Sequence, residues 1–280
     1  MKNLVIYHAD CADGFGAAYA AWLSICDSAE YLPMHYKDEL NVPVEGRNVY
    51  ILDFSFPLDV METICDKASN VIWLDHHATS KETAAQIASN YPSAYVKHSD
   101  TKSGSILAWE YFHPFRDVPS LISHIDDRAR WQFKLRDTKA VSAALWSYRP
   151  WTFEAWNDYT SKTMYSQLIT EGAAILRAQR AEVEATVKKA YPIHIAGQVG
   201  LAVNTDTNIS EVCQELANQS ETFGVVWYFD EGTSVKYSLR SNGDFDVSKI
   251  AEFYDGGWHK NAAWFVVSVE ELATLMRTPK

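Results

Sequence analysis

Three short apolar runs near the start of this 280-residue chain constrain its fold most strongly. They are Leu4–Tyr7, Val49–Leu52 and Val71–Leu74, and none of them alternates polar with apolar residues. Continuously apolar strands are typical of parallel sheets that are covered by helices on both faces. Because helical stretches separate the runs, the sequence predicts an α/β fold with crossover helices between parallel strands.

The second half of the chain predicts a long helix followed by a smaller α/β unit. Residues Thr163 to Ala190 carry an apolar stripe at helical spacing, and Tyr191-Pro192 ends it because proline disfavours a helical residue before it. The strand-like runs after it are Val199–Val203, Thr222–Phe229 and Ser234–Leu239. We therefore expect an N-terminal domain over residues 1–162, a linker helix over 163–190 and a C-terminal domain over 191–280.

Composition and charge exclude several classes of protein. The formal net charge of −11 argues against a generic binder of long nucleic acids, which usually presents a basic face. No apolar run approaches the roughly 18 residues that cross a bilayer, and the first residues lack a secretory pattern. The four cysteines form no C-x-x-C pair, which favours buried free thiols over a disulfide framework or zinc site. We expect a soluble, cytoplasmic protein.

Acidic and histidine residues follow each of the three predicted strands. The clusters are His8-Ala9-Asp10 with Asp13, then Asp53, then Asp75-His76-His77. Ligands of open α/β sheets bind beyond the carboxyl ends of the strands, where these clusters would meet. Carboxylates with a few imidazoles suit Mn²⁺ or Mg²⁺, and two such ions about 3.5–4 Å apart can activate water for attack on phosphorus.

Each cluster also has a structural interpretation. Asp13 could cap the helix that follows it, and Asp53 could belong to a turn. A fourth cluster, from His124 to Arg128, would supply Asp127 as a last ligand, although acidic-basic runs are commonly solvated surface. Near the C-terminus, Gly256 and Gly257 precede a histidine and a lysine in what could equally be a plain loop.

In this order the clusters resemble the DHH phosphoesterase superfamily with its associated C-terminal domain. The resemblance covers nearly the whole chain. The matching segments are His8-Ala-Asp10-Cys-Ala-Asp13-Gly14, Leu52-Asp53, Asp75-His76-His77, Ile125-Asp126-Asp127-Arg128 and Gly256-Gly257-Trp258-His259-Lys260-Asn261-Ala262-Ala263. Members include nanoRNases, pAp phosphatases, RecJ-like exonucleases and cyclic-dinucleotide phosphodiesterases.

The resemblance implies a site that is shared between two metal ions and a nucleotide. Two Mn²⁺ ions, with Mg²⁺ or Co²⁺ as alternatives, would be held with Asp53 as the bridging ligand, and His77 beside Asp75 would contact the scissile phosphate. The implied metal ligands are His8, Asp10, Asp13, Asp53, His76 and Asp127. The implied substrate-binding residues are Arg240, Gly256, Gly257, His259 and Lys260.

The resemblance also implies a substrate class, which is a short oligonucleotide or small nucleotide. No long duplex and no membrane is expected as a partner, and a homodimer is compatible with the sequence. Two departures from the family pattern stand out. Two residues separate Asp10 from Asp13, where the family has one, which leaves open whether Asp10 is a ligand. Trp258 interrupts the glycine signature, where it could stack on a base or narrow the cleft.

Four other functions compete with a phosphoesterase of the nanoRNase or pAp-phosphatase type. A cyclic-dinucleotide phosphodiesterase and a non-catalytic nucleotide sensor with one lost metal site both remain open. A nicotinamide-dependent oxidoreductase is disfavoured, because Gly14-x-Gly16 has Tyr19 at its third small position and carboxylates would face the pyrophosphate. No G-x-x-x-x-G-K-[ST] motif occurs, so a P-loop nucleotide hydrolase has no support.

Overall fold

The computed structural model describes residues 2–230 and 232–271. Contacts within the chain define two compact units, Met1–Leu176 and Arg177–Lys280, and each is described here by itself. The helix predicted over Thr163–Ala190 is observed as Lys162–Val187, and the border between the units falls inside it. None of the helices in the described ranges combines the length and apolar character needed to cross a bilayer.

The first unit is built on a five-stranded sheet in which every neighbouring pair is parallel. Its strands are β1 (Asn3–His8), β2 (Ala29–Met34), β3 (Asn48–Leu52), β4 (Asn70–Asp75) and β5 (Tyr95–His98). Their spatial order is β2-β1-β3-β4-β5, which places the three predicted strands next to one another in the centre. The predicted α/β class with a parallel N-terminal sheet is confirmed.

Both faces of this sheet are buried, which explains why its central strands are continuously apolar. Leu4 and Ile6 of β1 belong to one hydrophobic cluster, whereas Val5 and Tyr7 belong to a second cluster on the opposite face. Successive side chains of a strand point to opposite faces, so each face takes every second residue. A strand that packs on helices at both faces has no position left for a polar side chain.

The apolar pattern of the sequence does not identify the two edge strands. β2 contains Glu30 and Pro33, and β5 is only four residues long with Lys97 in its middle. Edge strands have one unpaired side, which tolerates proline and charge, and they therefore lack the continuous apolar signal of the centre. The pattern that reveals buried strands cannot reveal these two.

Helices connect and cover the sheet of the first unit. They are α1 (Ala12–Ile25), α2 (Leu58–Lys67), α3 (Lys81–Asn90), α4 (Gly104–Phe112), α5 (Ser120–Ala129), α6 (Thr138–Ser147), α7 (Phe153–Tyr159) and α8 (Lys162–Val187). Short 3₁₀ turns occur at Cys26–Ser28 and Ala78–Ser80. The stretch from α4 to α7 is helical and rich in aromatic residues.

The second unit contains a mixed six-stranded sheet in the order β10-β11-β9-β8-β7-β6. Its elements are β6 (Tyr191–Ile195), β7 (Gln198–Asn204), α9 (Ile209–Gln219), β8 (Phe223–Asp230), β9 (Ser234–Ser241), α10 (Ser248–Glu252), β10 (Gly257–His259) and β11 (Ala262–Ser268). β7 and β8 pair in parallel, and the other described neighbours pair antiparallel. The three predicted strands of this unit are β7, β8 and β9.

Candidate metal centre

The carboxyl ends of β1, β3 and β4 bring the predicted clusters together. Tyr7 pairs with Leu52, which pairs with Leu74, so the three strands end at the same level of the sheet. His8 ends β1, Asp53 directly follows β3, and Asp75-His76-His77 begins at the last residue of β4. The parallel register therefore gathers chemical groups that lie 67 residues apart in the chain, from His8 to Asp75.

Asp53 lies at the centre of this arrangement and is fully buried. Its Oδ1 atom lies 3.2 Å from His76 Nε2, and its Oδ2 atom lies 3.7 Å from His8 Nδ1. The residue has a φ of 54°, a left-handed conformation that aspartate adopts at a modest cost. The two oxygens of one carboxylate thus face two different histidines.

Metal-ligand atoms converge on Asp53 from both sides. Among the residues that the structure describes, two groups place their donor atoms within 4.8 Å of one another: Asp53 with His76 and His77, and Asp53 with His8 and Cys11. No hydrogen bond of good geometry reaches Asp53 Oδ1 or His8 Nδ1, although both atoms are buried. Buried polar atoms without a partner are costly, and divalent cations on the two sides of Asp53 would satisfy them. The donor set therefore fits such an ion.

Asp13 and His76 form the second half of the cluster. His76 Nε2 lies 3.3 Å from Asp13 Oδ2. Burial alone would lower the pKa of His76, but the contacts with Asp13 and Asp53 raise it to about 11. Burial alone would raise the pKa of Asp13, yet His76 and the groups of Ser105 hold it well below its usual range. The buried carboxylates of Asp13 and Asp53 are stabilised by a nearby positive charge. The protonated imidazole of His76 supplies this charge when no other cation is bound.

The N-terminus of α4 fixes the carboxylate of Asp13. The backbone N–H groups of Gly104 and Ser105 donate to its two oxygens, each at 2.9 Å. A carboxylate is favoured at this end of a helix because the first N–H groups lack helical partners. A Cβ added to Gly104 would lie 2.4 Å from Asp53 Cβ, so only glycine permits this approach of α4 to Asp53.

Asp75 and His77 form a buried pair beside the cluster. His77 Nδ1 and Asp75 Oδ1 are 2.7 Å apart, and the same oxygen accepts the backbone N–H of His76 at 2.7 Å. Burial would lower the pKa of His77, but Asp75 and the charge of Asp53 raise it. A carboxylate at Nδ1 holds that nitrogen in its protonated form and orients Nε2, which is the arrangement of a proton-transferring histidine.

Asp10 is exposed and pairs with residues outside the two donor groups. Its φ of 50° turns the chain after β1, and its side chain is mostly exposed. It forms an ion pair with Arg149, and it lies 3.5 Å from His35 Nε2. Asp10 belongs to neither of the described donor groups, so its place among the predicted ligands is not supported by a contact in this structure.

Asp127 is buried within a separate hydrogen-bond network. Its carboxylate accepts the backbone N–H groups of Lys134 and Leu135 at 2.8 and 3.0 Å, and the hydroxyl of Thr138 at 2.5 Å. These donors lower its pKa although burial would raise it. Thr138 also contacts His124 Nδ1 at 2.8 Å. His124 and Asp127 of the fourth predicted cluster are therefore linked to each other through Thr138. Asp127 belongs to neither of the two donor groups around Asp53.

The predicted substrate-binding residues of the second unit share one end of its sheet. Arg240 on β9 pairs with Ala262 of β11, and its guanidinium donates to Ser210 Oγ at 3.0 Å. Lys260 Nζ lies 2.9 Å from Asp244 Oδ1. Gly257 and His259 lie in β10, Gly256 directly precedes this strand, and Lys260 lies in the turn between β10 and β11. The glycine-rich segment therefore forms a short hairpin with β11, and only its flanking and turn residues are loop. The side chain of Trp258 lies outside the described residues.

Gly256 and Gly257 differ in their surroundings. A Cβ on Gly256 would lie 2.2 Å from the carbonyl oxygen of Trp264, so this glycine is required by the packing of the chain itself. A Cβ on Gly257 would meet nothing within 4 Å. A glycine that approaches a ligand and a glycine that approaches another strand give the same sequence signal.

Several residues near the cluster were not identified from the sequence. The ring of Tyr36 lies edge-on to the rings of His8 and His77, at centroid distances of 5.0 and 5.8 Å. Arg149 stacks on Trp146 and Trp151, with 4.8 and 5.2 Å from its guanidinium carbon to the ring centroids. These residues come from loops and helix ends, where no periodic pattern marks them.

No protein-family model matches the chain. The uncharacterized protein R106 of Acanthamoeba polyphaga mimivirus is 28% identical over 292 residues, which cover 95% of this chain and 68% of that protein. The solved structure of PggH from Vibrio cholerae, titled a pGpG-specific phosphodiesterase, has a TM-score of 0.56 and 14% sequence identity, covering 98% of this chain and 96% of that chain. This likeness shows a similar fold.

Proposed function

We propose that this chain is a two-metal phosphoesterase that hydrolyses phosphoester bonds in short oligonucleotides or small nucleotides. One observation supports the proposal most: the buried carboxylate of Asp53 faces His76 with one oxygen and His8 with the other. A carboxylate that bridges two ions with one oxygen each has this arrangement, in which each oxygen has its own neighbouring donors. The order of the clusters along the sequence supports membership of the DHH superfamily.

The proposed ligands divide between two ions. Asp13, Asp53 and His76 would hold the first ion, and His8 with Asp53 would hold part of the shell of the second. When bound, such a pair supplies charge that favours a hydroxide nucleophile and stabilises the oxygens of an in-line displacement. The oxygen and nitrogen donors suit Mn²⁺, and Mg²⁺ or Co²⁺ are the alternatives.

His77 and Asp75 would act on the substrate. With Nδ1 held by Asp75 at 2.7 Å, the Nε2 side of the imidazole can donate a hydrogen bond to the scissile phosphate or a proton to the leaving oxygen. Asp75 positions this ring and also accepts the backbone N–H of His76. The pair therefore orients both adjacent histidines of the motif.

Asp10 and Asp127 stay predictions as ligands. Asp10 pairs with Arg149, and Asp127 binds two backbone amides and a hydroxyl, so both carboxylates already have partners. We therefore propose Asp10 and Asp127 as metal ligands with less structural support than the residues around Asp53.

The proposed substrate class rests on the resemblance and on the fold. The fold is similar to that of PggH, a protein titled a pGpG-specific phosphodiesterase, which makes linear dinucleotides the first substrates to assay. Arg240, His259, Lys260 and the Gly256-Gly257 backbone are proposed to bind a further phosphate or sugar. We expect no long duplex or membrane as a partner, a cytoplasmic location, and a homodimer as a possible assembly.

The proposal is tested with four substrate types and Mn²⁺: linear oligonucleotides of two to five residues, pAp, cyclic dinucleotides and polyphosphate. The wild type should release mononucleotides from the short linear substrates, and Asp53→Asn should lower that rate at least about 10²-fold. Asp100→Asn is the matched control, because Asp100 follows a neighbouring strand but is exposed and pairs with Lys81. Full activity of Asp53→Asn would contradict the proposal.

Two results of this assay would favour the other open functions. Hydrolysis of cyclic dinucleotides in preference to linear ones would indicate a cyclic-dinucleotide phosphodiesterase. Nucleotide binding without turnover of any of the four substrates would indicate the non-catalytic sensor.

A further inference from the structure

Cys11 lies in the cluster but has no role in the function proposed above. It is the residue before α1, with an extended backbone (φ −124°, ψ 129°), whereas Asp10 before it is left-handed. This change of backbone conformation turns Asp10 towards Arg149. Cys11 instead has its Sγ atom 3.7 Å from Asp53 Oδ2. His8 at the end of β1 and Cys11 just before α1 therefore both lie beside Asp53 Oδ2.

The donors around Cys11 indicate a ligand rather than a packed thiol. The Sγ atom of Cys11, an imidazole nitrogen of His8 and a carboxylate oxygen of Asp53 all lie within 4.8 Å of one another. Independently, His8 Nδ1 is buried without a hydrogen-bond partner, and it faces the fully buried Asp53, whose Oδ2 atom lies 3.7 Å away. A weak S–H donor does little for a buried carboxylate, whereas a shared cation would satisfy all three groups.

We propose that Cys11 is a thiolate ligand of the second metal ion, together with His8 and Asp53. Binding replaces the S–H bond of Cys11 by a sulfur–metal bond, and the thiol proton leaves to solvent. The proposal rests on the two-metal function and refines it, because it makes the two ion positions chemically unequal. The position at Asp13 and His76 has oxygen and nitrogen donors, whereas the position at Cys11 adds sulfur.

The unequal donors predict unequal metal preferences. Thiolates favour Zn²⁺, Co²⁺ and Fe²⁺ over Mg²⁺, which prefers oxygen ligands. We therefore expect Mg²⁺ to compete poorly with Co²⁺ at the Cys11 position and better at the Asp13 position.

The test uses Co²⁺ as the probe, because thiolate coordination to Co²⁺ gives a charge-transfer band in the near ultraviolet. The full chain is loaded with Co²⁺, and the bound metal is counted by elemental analysis. The wild type should show the band, and Cys11→Ser should lose it and bind about one Co²⁺ fewer per chain. Cys65→Ser is the matched control, because Cys65 is also a partly buried free thiol but lies on α2. It should keep the band.

A second variant guards against misfolding of Cys11→Ser. Cys11→Asp offers an oxygen donor at the same position, so it should bind two ions again, without the band and with improved competition by Mg²⁺. Two bound Co²⁺ ions per wild-type chain without a Cys11-dependent band would overturn the role of Cys11 and leave the two-metal proposal standing. Absence of bound Co²⁺ from the wild type would overturn both.

Discussion

The glycine that opens α4 offers a precise perturbation of the proposed centre. Replacing Gly104 with alanine adds a single methyl group, changes no charge and removes no hydrogen-bonding group. In the structure that carbon would lie 2.4 Å from Asp53 Cβ and 2.5 Å from Asp53 Oδ1. Carbon atoms in contact are normally about 3.5–4.0 Å apart, so α4 and Asp53 must separate by about 1 Å.

The cost of Gly104→Ala can be estimated from this displacement. Overpacking of a buried site typically costs about 1–3 kcal/mol of stability. A misplacement of about 1 Å at a reacting centre can cost about 10²-fold in rate. The N–H of Gly104 also donates to Asp13, so the same shift disturbs two proposed ligands. We expect weakened Mn²⁺ binding and a loss of about 10²-fold in kcat/KM, in a protein that still folds.

The assay measures Mn²⁺ affinity by titration calorimetry, hydrolysis of a linear dinucleotide, and the thermal unfolding temperature. Gly46→Ala serves as the control, because Gly46 has a φ of 69° and open space around it. That change costs roughly 1–2 kcal/mol of backbone strain with no steric contact at the centre. If Gly104→Ala binds Mn²⁺ and turns over the substrate as well as the wild type, the close contact of α4 with Asp53 is not required for the site.

Three further predictions concern the buried acidic groups. Asp75→Asn should lower kcat by about 10²–10⁴-fold with little change in KM, because His77 loses the carboxylate that sets its tautomer, and steady-state kinetics checks this. Asp127→Asn should lower the free energy of unfolding by about 1.5–3 kcal/mol at neutral pH, because hydrogen bonds to a charged carboxylate are lost. The pKa of Asp127 is lower in the folded protein than in the unfolded chain, so its contribution to the free energy of unfolding is complete above the unfolded pKa. This contribution is lost as the pH falls through the folded pKa. Denaturant titrations should therefore give the wild type and Asp127→Asn similar stabilities in acid. Mn²⁺ affinity should rise with pH below about 11, because a metal ion must displace the proton that Asp13 and Asp53 hold on His76. Calorimetry in buffers of different ionisation enthalpy should show that Mn²⁺ binding releases protons. Binding without proton release would contradict this prediction.

Burial on both faces explains which parts of the fold the sequence could predict. β1, β3 and β4 lie in the centre of the sheet, so their residues must be apolar throughout and produce an unambiguous run. β2 and β5 lie at the edges, where Pro33 and Lys97 are tolerated. β10 and β11 flank a short turn in a glycine-rich segment, which has the composition of a loop.

The candidate site was predictable where strand register determines it. Once β1, β3 and β4 are neighbours in a parallel sheet, His8, Asp53 and His76 must converge, and no side-chain detail is required. The direction of Asp10 depends on one left-handed residue, which spacing along the sequence does not reveal. The contribution of α4 depends on a tertiary contact 91 residues away from Asp13, and its Ser-Gly-Ser start resembles any helix start.

The role of Cys11 illustrates the same limit. In the sequence it is one of four scattered cysteines, for which a buried thiol is the ordinary interpretation. Only its distance from Asp53 Oδ2 and the shared position with His8 distinguish it from the other three. Sequence spacing identified the segment, and the geometry identified the residue within it.

The central claim is that Asp53 bridges two metal ions, and electron paramagnetic resonance of the Mn²⁺-loaded chain tests it most directly. Two ions about 3.5–4 Å apart through a shared carboxylate couple their spins. We predict a spin-coupled spectrum at two Mn²⁺ per chain, which Asp53→Asn converts to the six-line signal of isolated ions. A wild-type chain that shows only isolated Mn²⁺ at saturation would contradict the bridging role of Asp53.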